Sequence, residues 1–419
     1  MTTQAGHAKS VQTLSNGIKT VVIEDHTSPI VSMQVWIRCG AVNENAQTAG
    51  VSHFLEHMLF KGTPRLSAGQ ISHAVESRGG RINAATGMEL THYYIDAPSD
   101  SFEESLAVLA DAVLYPTFPA DEFERERKVI LEEIKRRNDD PQSDLWDGFL
   151  EVLYPQTPYR QRVIGTEATI SAMTREVLMA QHQAFYVSDN MVVVIVGDVK
   201  KAKAMKQVRK LFGSLPAKKR PPFPVLFQPP REQSELKIIE RPAQQAYVAV
   251  GFTGPALNDP RQVSMDVLST VLGGGGSSRL HRILREEKRL VWSVGSSFIT
   301  HAGTGLFGVF AQCAPEKARS LPAEIYMIIT ECESNGFSPD EVARAKSQLK
   351  SAWLFSQETY HGQASQWGFY TALGCHDLVS RYVKDLDRVR VDDLVSLLRT
   401  FFQSREMSGA VVYPSAGKN

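Results

Sequence analysis

The stretch SHFLEHMLFKGT, residues 52–63, places His53, Glu56 and His57 within five positions. On a helix, positions i and i+4 share a face, so both imidazoles can point at one ion, with Glu56 at the border of that face. Zinc takes neutral imidazole nitrogens and often one carboxylate, and a catalytic site leaves one position open for water. The metal lowers the pKa of that water, and a carboxylate beside it can take the proton. The plainer alternative is a buried helix carrying these groups by chance. Phe54, Leu55, Met58, Leu59 and Phe60 make the surroundings apolar, and burying three ionisable groups without a partner is costly. The pattern therefore reads as part of a metal site whose other ligand lies elsewhere.

An internal repeat acts as a control. VSHFLEHMLFKG from Val51 aligns with VSMDVLSTVLGG from Val263 at an offset of 212, both opening on Val-Ser and closing on Gly. His53, Glu56 and His57 then fall on Met265, Leu268 and Ser269. A fold that builds this helix without ionisable groups at these points does not require them in the first copy.

The acid-rich helix expected from about Asp121 to Arg137 is the source of candidates for the third ligand. PADEFERERKVILEEI from Pro119 aligns with SPDEVARAKSQLKSAW from Ser338, and Glu126 and Glu133 fall on Ala345 and Ala352. Glu126 and Glu133 are two turns apart on one face. Glu132 falls on polar Ser351 and is much less distinguished. Most of the other acids on this helix read as a solvated face. Both aligned helices open on Asp-Glu, which suits a helix N-terminus.

The elements around these helices repeat as well. Lys19 onwards (KTVVIEDHTSPIVSMQVWIRCGA) reads as a strand pair joined at Ser28–Pro29, and LKIIERPAQQAYVAVGFTGPA from Leu236 has the same design. LTHYYIDAPSDSFEESLAVLADAV and TGLFGVFAQCAPEKARSLPAEIYM each run from strand to helix through a proline. The chain reads as two homologous halves, residues 1–215 and 236–419, the first holding the metal ligands and the second lacking them. The segment 216–235 between them carries six prolines, which deny ladder donors and fix φ, so it reads as an extended linker. The expected fold class is α+β: in each half a largely antiparallel sheet with helices packed on one face.

With 419 residues, 42% of them hydrophobic, the chain is long enough for two or three domains with sizeable cores. Its 46 basic and 46 acidic residues cancel, so nothing global calls for nucleic acid or an anionic membrane. The basic run VKKAKAMKQVRK from Val199 reads as a solvated helix face. Cys39, Cys313, Cys332 and Cys375 have no CxxC spacing, which argues for reduced, buried thiols. No signal-peptide pattern and no apolar run of membrane-spanning length is present, and the expected location is cytoplasmic.

HFLEHMLFKGT, with 75 residues between His57 and Glu133 of ERERKVILEEI, resembles the pitrilysin/insulinase family of zinc metallopeptidases, which use the inverted H-x-x-E-H order. The resemblance spans nearly the whole chain, through GGRINAATGMELTHYYIDAP, VIGTEATISAMTREVLMAQHQAFY, NMVVVIVGDV and GGGGSSRLHRILREEKRLVWSV. It implies His53, His57 and Glu133 as zinc ligands, Glu56 as general base, and Glu126 as an accessory glutamate acting behind the ligands. RINAATGME matches the family's edge strand, implying that Asn83 and Ala84 pair with substrate backbone; an ordinary strand and turn around Gly87 is the competing reading.

The four glycines Gly273–Gly276 lack both the Gly-Lys-Ser/Thr ending and the GxGxxG spacing of nucleotide loops, and read as a loop into a helix N-terminus. In the family an Arg on that helix, and a Tyr seven residues later, reach the active site. Arg285 matches the Arg, but Trp292 stands where the Tyr should be. A Tyr hydroxyl can donate to the oxygen of a tetrahedral intermediate, and losing one such donor costs about a hundredfold or more. An indole N–H donates from a different place. The resemblance thus implies a zinc endopeptidase of unfolded peptides or precursor segments, working as a homodimer or as a heterodimer with a homologous subunit. The alternative is a non-catalytic subunit, or a catalytic half that needs a partner chain to supply an intact Arg/Tyr pair.

Overall fold

The computed structural model describes residues 11–224, 226–228, 234–402 and 407–415. Of the expected linker at 216–235, Val225 and residues 229–233 lie outside the described residues, as do both chain ends of the two expected halves.

The alternating runs form two sheets. The first contains β1 (Val11–Thr13), β2 (Lys19–Glu24), β3 (Ile30–Ile37), β4 (Arg81–Thr86), β5 (Thr91–Pro98) and β6 (Met191–Gly197), in the order β1-β2-β6-β3-β5-β4. The second contains β7 (Leu236–Arg241), β8 (Ala246–Gly254), β9 (Ser293–Ile299), β10 (Gly305–Cys313) and β11 (Ser408–Pro414), in the order β7-β11-β8-β10-β9. Apart from the extra β1 the two orders match, and so do the senses. β2–β6 and β7–β11 are parallel, and every other pair is antiparallel. The expected α+β class with two like halves is the observed architecture.

One local expectation is corrected. β2 and β3 do not pair with each other across Ser28–Pro29, because β6 lies between them. β6 reads MVVVIVG and is buried at every position, as befits a central strand covered on both faces.

The main helical layer packs on one face of each sheet. In the first it includes α1 (Val51–Leu59), α2 (Ala68–Glu76) and α3 (Phe102–Leu114), over Met33, Val35, Tyr93 and Ile95. The opposite face of each sheet carries one further helix. The helix Tyr360–Ala372 lies on β3 and β6, with Gly368 against the Trp36 indole, where a Cβ would come within 2.0 Å of Nε1. In the second sheet α5 (Pro141–Leu153) takes this place, with Gly148 against Ile239 and Ala410. Each sheet therefore draws one helix from the other half of the sequence. The compact units interleave along the chain: one holds the chain up to Ile134, Arg162–Pro224 and Phe355–Ser380, and the other holds Lys135–Gln161, Val225–Leu354 and the chain from Arg381. All four cysteines are buried and free, and no helix among the described residues is long and apolar enough to cross a membrane.

Candidate functional site

Helix α1 begins at Gly50, whose φ of +91° is open only to glycine at low cost. A Cβ there would lie 2.8 Å from the Ile164 carbonyl, and one on Gly165 would lie 2.5 Å from the Ala49 carbonyl. The two glycines let the chain entering α1 pass close beside residues 164–165. Phe54, Leu55, Met58 and Leu59 are fully buried, which leaves His53, Glu56 and His57 on the half-open side. The Glu44 carboxylate accepts hydrogen bonds from the backbone N–H of Gly50 (2.7 Å) and Ser52 (2.8 Å), satisfying donors that a first turn leaves without partners. Burial pushes Glu44 up to about 7 against those two donors.

The acid-rich helix is α4 (Ala120–Asn138). Phe123, Glu126, Ile130 and Ile134 form its buried stripe, so Glu126 occupies a core-facing position and is only 6% exposed. Phe123 stacks on Phe54 with ring centroids 4.7 Å apart and planes 5° from parallel, which fixes α4 against α1. The packing brings Glu133 to the two histidines: one ligand atom each from His53, His57 and Glu133 lie within 4.8 Å of one another.

The protonation geometry suits a cation. With its hydrogen on Nδ1, His57 donates to Glu126 Oε2 at 2.9 Å, which turns Nε2 toward Glu133 Oε2 at 3.7 Å. Fixing a metal-binding imidazole through its other nitrogen is the usual role of such a carboxylate. Lys61 Nζ lies 2.7 Å from the other Glu126 oxygen. Burial would raise Glu126, but the bonds from His57 and Lys61 outweigh it and hold the acid below its ordinary value. Burial would lower His57, yet Glu126, Glu133 and Glu56 together raise it, so the pocket is one that attracts positive charge. Burial and the neighbouring His57 push His53 down to about 4, which keeps it neutral at pH 7, the form a metal needs. His53 Nδ1 is buried without a hydrogen-bond partner. An imidazole with an orphaned nitrogen, grouped with His57 and the Glu133 carboxylate, fits a divalent cation.

Glu56 is not among the three grouped residues but borders them. Its Oε2 accepts the Thr86 hydroxyl, and its carboxyl is raised by burial, partly offset by Thr86 and His57. Thr86 ends β4, the outermost strand of its sheet, and among the described residues one edge of β4 has no neighbouring strand. Asn83 is exposed and Ala84 half-buried on this strand. An open cleft of about 630 Å³ runs between β4 and α1, touched by Glu56, His57, Phe60, Ile82, Asn83 and Ala84. Arg285 and Trp292 belong to the other compact unit. Arg285 is exposed on the short π-helical stretch His281–Glu287, with a guanidinium nitrogen 2.9 Å from His281 Nε2. Trp292 precedes β9, is 52% exposed, and donates its backbone N–H to the Gln312 carbonyl.

Sequence reasoning missed Glu44, Thr86 and Lys61. Thr86 and Lys61 lie inside stretches that stood out for other residues, while Glu44 sits in a polar loop with no periodic signal.

Residues 19–167 match the family description "Insulinase (Peptidase family M16)", and residues 172–349 match "Peptidase M16 inactive domain". A Mycobacterium bovis protein named an uncharacterized zinc protease is 32% identical over 97% of this chain and 93% of its own length. The chain belongs to peptidase family M16. Another relative, the Bacillus subtilis protein named uncharacterized zinc protease YmxG, is 29% identical over 96% of this chain and 98% of its own length. The crystal structure of a protease from Helicobacter pylori superposes with a TM-score of 0.91 at 26% identity, covering 97% of this chain and 99% of that one. A Pseudomonas fluorescens structure described as a peptidase M16 inactive domain gives 0.90 at 21% identity, covering 98% and 100%. At that identity the last likeness speaks for the M16 fold alone.

Proposed function

We propose that this M16 chain is a zinc-dependent endopeptidase that hydrolyses unfolded peptides or precursor segments. The observation that carries the reading is the grouping of His53, His57 and Glu133 beside Glu56, at positions where the repeated helices carry apolar or small residues. His53 and His57 would hold the metal through nitrogen and Glu133 through a carboxylate oxygen. A bound zinc would polarise the scissile carbonyl and lower the pKa of a water. Glu56, whose carboxyl burial raises above its ordinary value, takes the proton from the attacking water and delivers it to the leaving amine. Glu126 keeps the His57 hydrogen on Nδ1. An extended substrate adds to the open edge of β4, pairing with the backbone of Asn83 and Ala84, which reads peptide shape more than sequence.

The resemblance assigns Arg285 a catalytic role, helping to stabilise the intermediate, and places Trp292, which stands where the family has a tyrosine, in substrate binding. It also implies that the chain works as a dimer closing into a chamber, which would exclude folded proteins. Trp292 favours a second reading, in which a homologous partner chain supplies the intact Arg/Tyr pair; mixing with such a subunit would then raise turnover.

The test is Glu56→Gln. Elemental analysis should find zinc retained, while hydrolysis of an unstructured peptide falls by about 10²–10⁴-fold. Retained zinc with near wild-type turnover would remove Glu56 as the base. Turnover that survives exhaustive chelation would remove the metal mechanism.

A further inference from the structure

His53, His57 and Glu133 form the metal-capable group, yet Glu56 stands beside them and is left out of it. It is next to His57 in the chain, shares the half-open side of α1, and interacts electrostatically with both His57 and Glu133. A carboxylate oxygen from Glu56 is as suitable a zinc ligand as one from Glu133. Three protein ligands leave a position for water, whereas four close the shell and make a site structural rather than catalytic. What holds Glu56 apart therefore decides which kind of site this is.

The restraint comes from one residue at the end of β4. Thr86 donates its hydroxyl to Glu56 Oε2, and its backbone N–H donates to the same carboxylate. The strand supplies that N–H through its register. Gly87 donates to the Leu90 carbonyl at 2.8 Å, so these two are a bonded pair, and the next pair, Thr86 with Thr91, is a wide one. In a wide pair the backbone groups turn away from the partner strand, which leaves the Thr86 N–H for Glu56. The side chain is placed from the other direction. Thr91 is fully buried, donates to the Cys39 carbonyl at 2.9 Å, and has its Oγ1 3.5 Å from that of Thr86. A β-branched side chain in such surroundings has little rotamer freedom.

We propose that Thr86 is a positioning residue that holds the Glu56 carboxylate off the metal ligands and so keeps one coordination position open. The inference rests on the metallopeptidase reading above and adds to it a residue outside the ligand set. Without the hydroxyl, Glu56 swings toward His53, His57 and Glu133 and becomes a fourth ligand. Metal binding then strengthens while the base is lost. A residue needed only for folding has the opposite signature, since a loosened site binds metal more weakly.

The experiment is Thr86→Val, which keeps the backbone N–H and the side-chain shape and removes the hydroxyl. Zinc affinity is measured by competition with a zinc-binding dye. It should rise by about tenfold, the size of effect that groups around metal ligands typically have. Thr86→Ser, which restores the hydroxyl, should return the affinity to that of wild type. With Glu56→Gln already in place, adding Thr86→Val should leave the affinity where it was, because the fourth carboxylate is gone. In turnover of an unstructured peptide, Thr86→Val should lose about a hundredfold in kcat with KM little changed, and Thr86→Ser should recover most of it. An unchanged or weakened zinc affinity in Thr86→Val overturns the proposal, and so does a rise that persists in the Glu56→Gln background. The zinc measurements need no turnover. If wild type binds zinc but cuts no peptide, the peptidase reading falls, while a rise in affinity that depends on Glu56 still supports the Thr86 assignment.

Discussion

The two copies of the repeat build the same helix for different ends. In α1 the positions of His53, Glu56 and His57 face a half-open cleft. In the helix Gln262–Gly273 the equivalent Met265 and Leu268 are fully buried and Ser269 nearly so. The partner helices differ in the same sense. Phe123 and Glu126 of α4 correspond to Val342 and Ala345 of the helix Pro339–Phe355, and both pairs face inward. Strand order and sense are alike in the two sheets, so the frame does not depend on the ionisable groups. The second copy shows what the frame needs, and the first shows what has been added to it.

The largest effect expected from erasing that difference is loss of the metal. His57→Ser installs the second copy's residue and removes a proposed ligand that also faces Glu126 and Glu133. Zinc content after dialysis should fall from about one per chain to a trace. A full complement of zinc would show that the ligand set lies elsewhere.

Next comes Glu126→Ala, again the second copy's residue. The proposed ligands stay, but His57 Nδ1 loses its acceptor, and Lys61 loses its counter-charge. Loss of such a supporting carboxylate typically weakens metal binding by 10–100-fold. Competition with a zinc-binding dye measures it. Unchanged affinity would mean that Glu126 serves only to neutralise Lys61.

These residues also mark how far sequence reaches. The His53–His57 pair was legible because helical spacing is local. Glu126 and Glu133 emerged because the chain carries its own control at a fixed offset. What escaped depends on contacts between distant segments. The insertion of β6 between β2 and β3 is a long-range pairing that the local Ser28–Pro29 turn does not announce. The helix that each sheet draws from the other half of the sequence left no periodic trace either, since packing partners rather than pattern decide it. Glu44 reaches α1 from a polar loop, and Thr86 reaches Glu56 from another element. Arg285 and Trp292 carry no geometric signal of their own, and their assignment rests on the resemblance.

A milder substitution set tests stability. Converting His53→Met, Glu56→Leu and His57→Ser together copies the apolar surface of the second helix into the first. The metal-free protein then no longer crowds carboxylates around half-buried imidazoles. Replacing buried ionic groups with well-packed apolar ones is often neutral or stabilising by about 1–4 kcal/mol. The triple variant should therefore bind no zinc yet melt at or above the metal-free wild type. A clearly lower Tm would show that the first copy has come to depend on these groups for its packing.

The smallest effect runs the other way. The second copy has one acid that the first lacks: Asp266 aligns with Phe54. Its Oδ2 accepts from Gln262 Nε2 (2.7 Å) and the Tyr382 hydroxyl (3.0 Å), yet burial outweighs both donors and pushes it up to about 7. No metal-capable group includes it among the described residues. An acid whose folded pKa lies above its unfolded value of 3.8 takes up protons on folding. Its contribution therefore favours the folded state least above pH 7, and stability falls as pH rises from about 4 to 7. Asp266→Asn keeps an acceptor for Gln262 and Tyr382 and removes the titration. Relative to wild type it should gain Tm at pH 8 and gain little or nothing at pH 4. With roughly 2–4 °C per kcal/mol for units of this size, a few degrees separate the two conditions. Thermal melts across that range decide it. A Tm difference between variant and wild type that stays constant with pH would mean that Asp266 is ionised throughout, held so by its two donors.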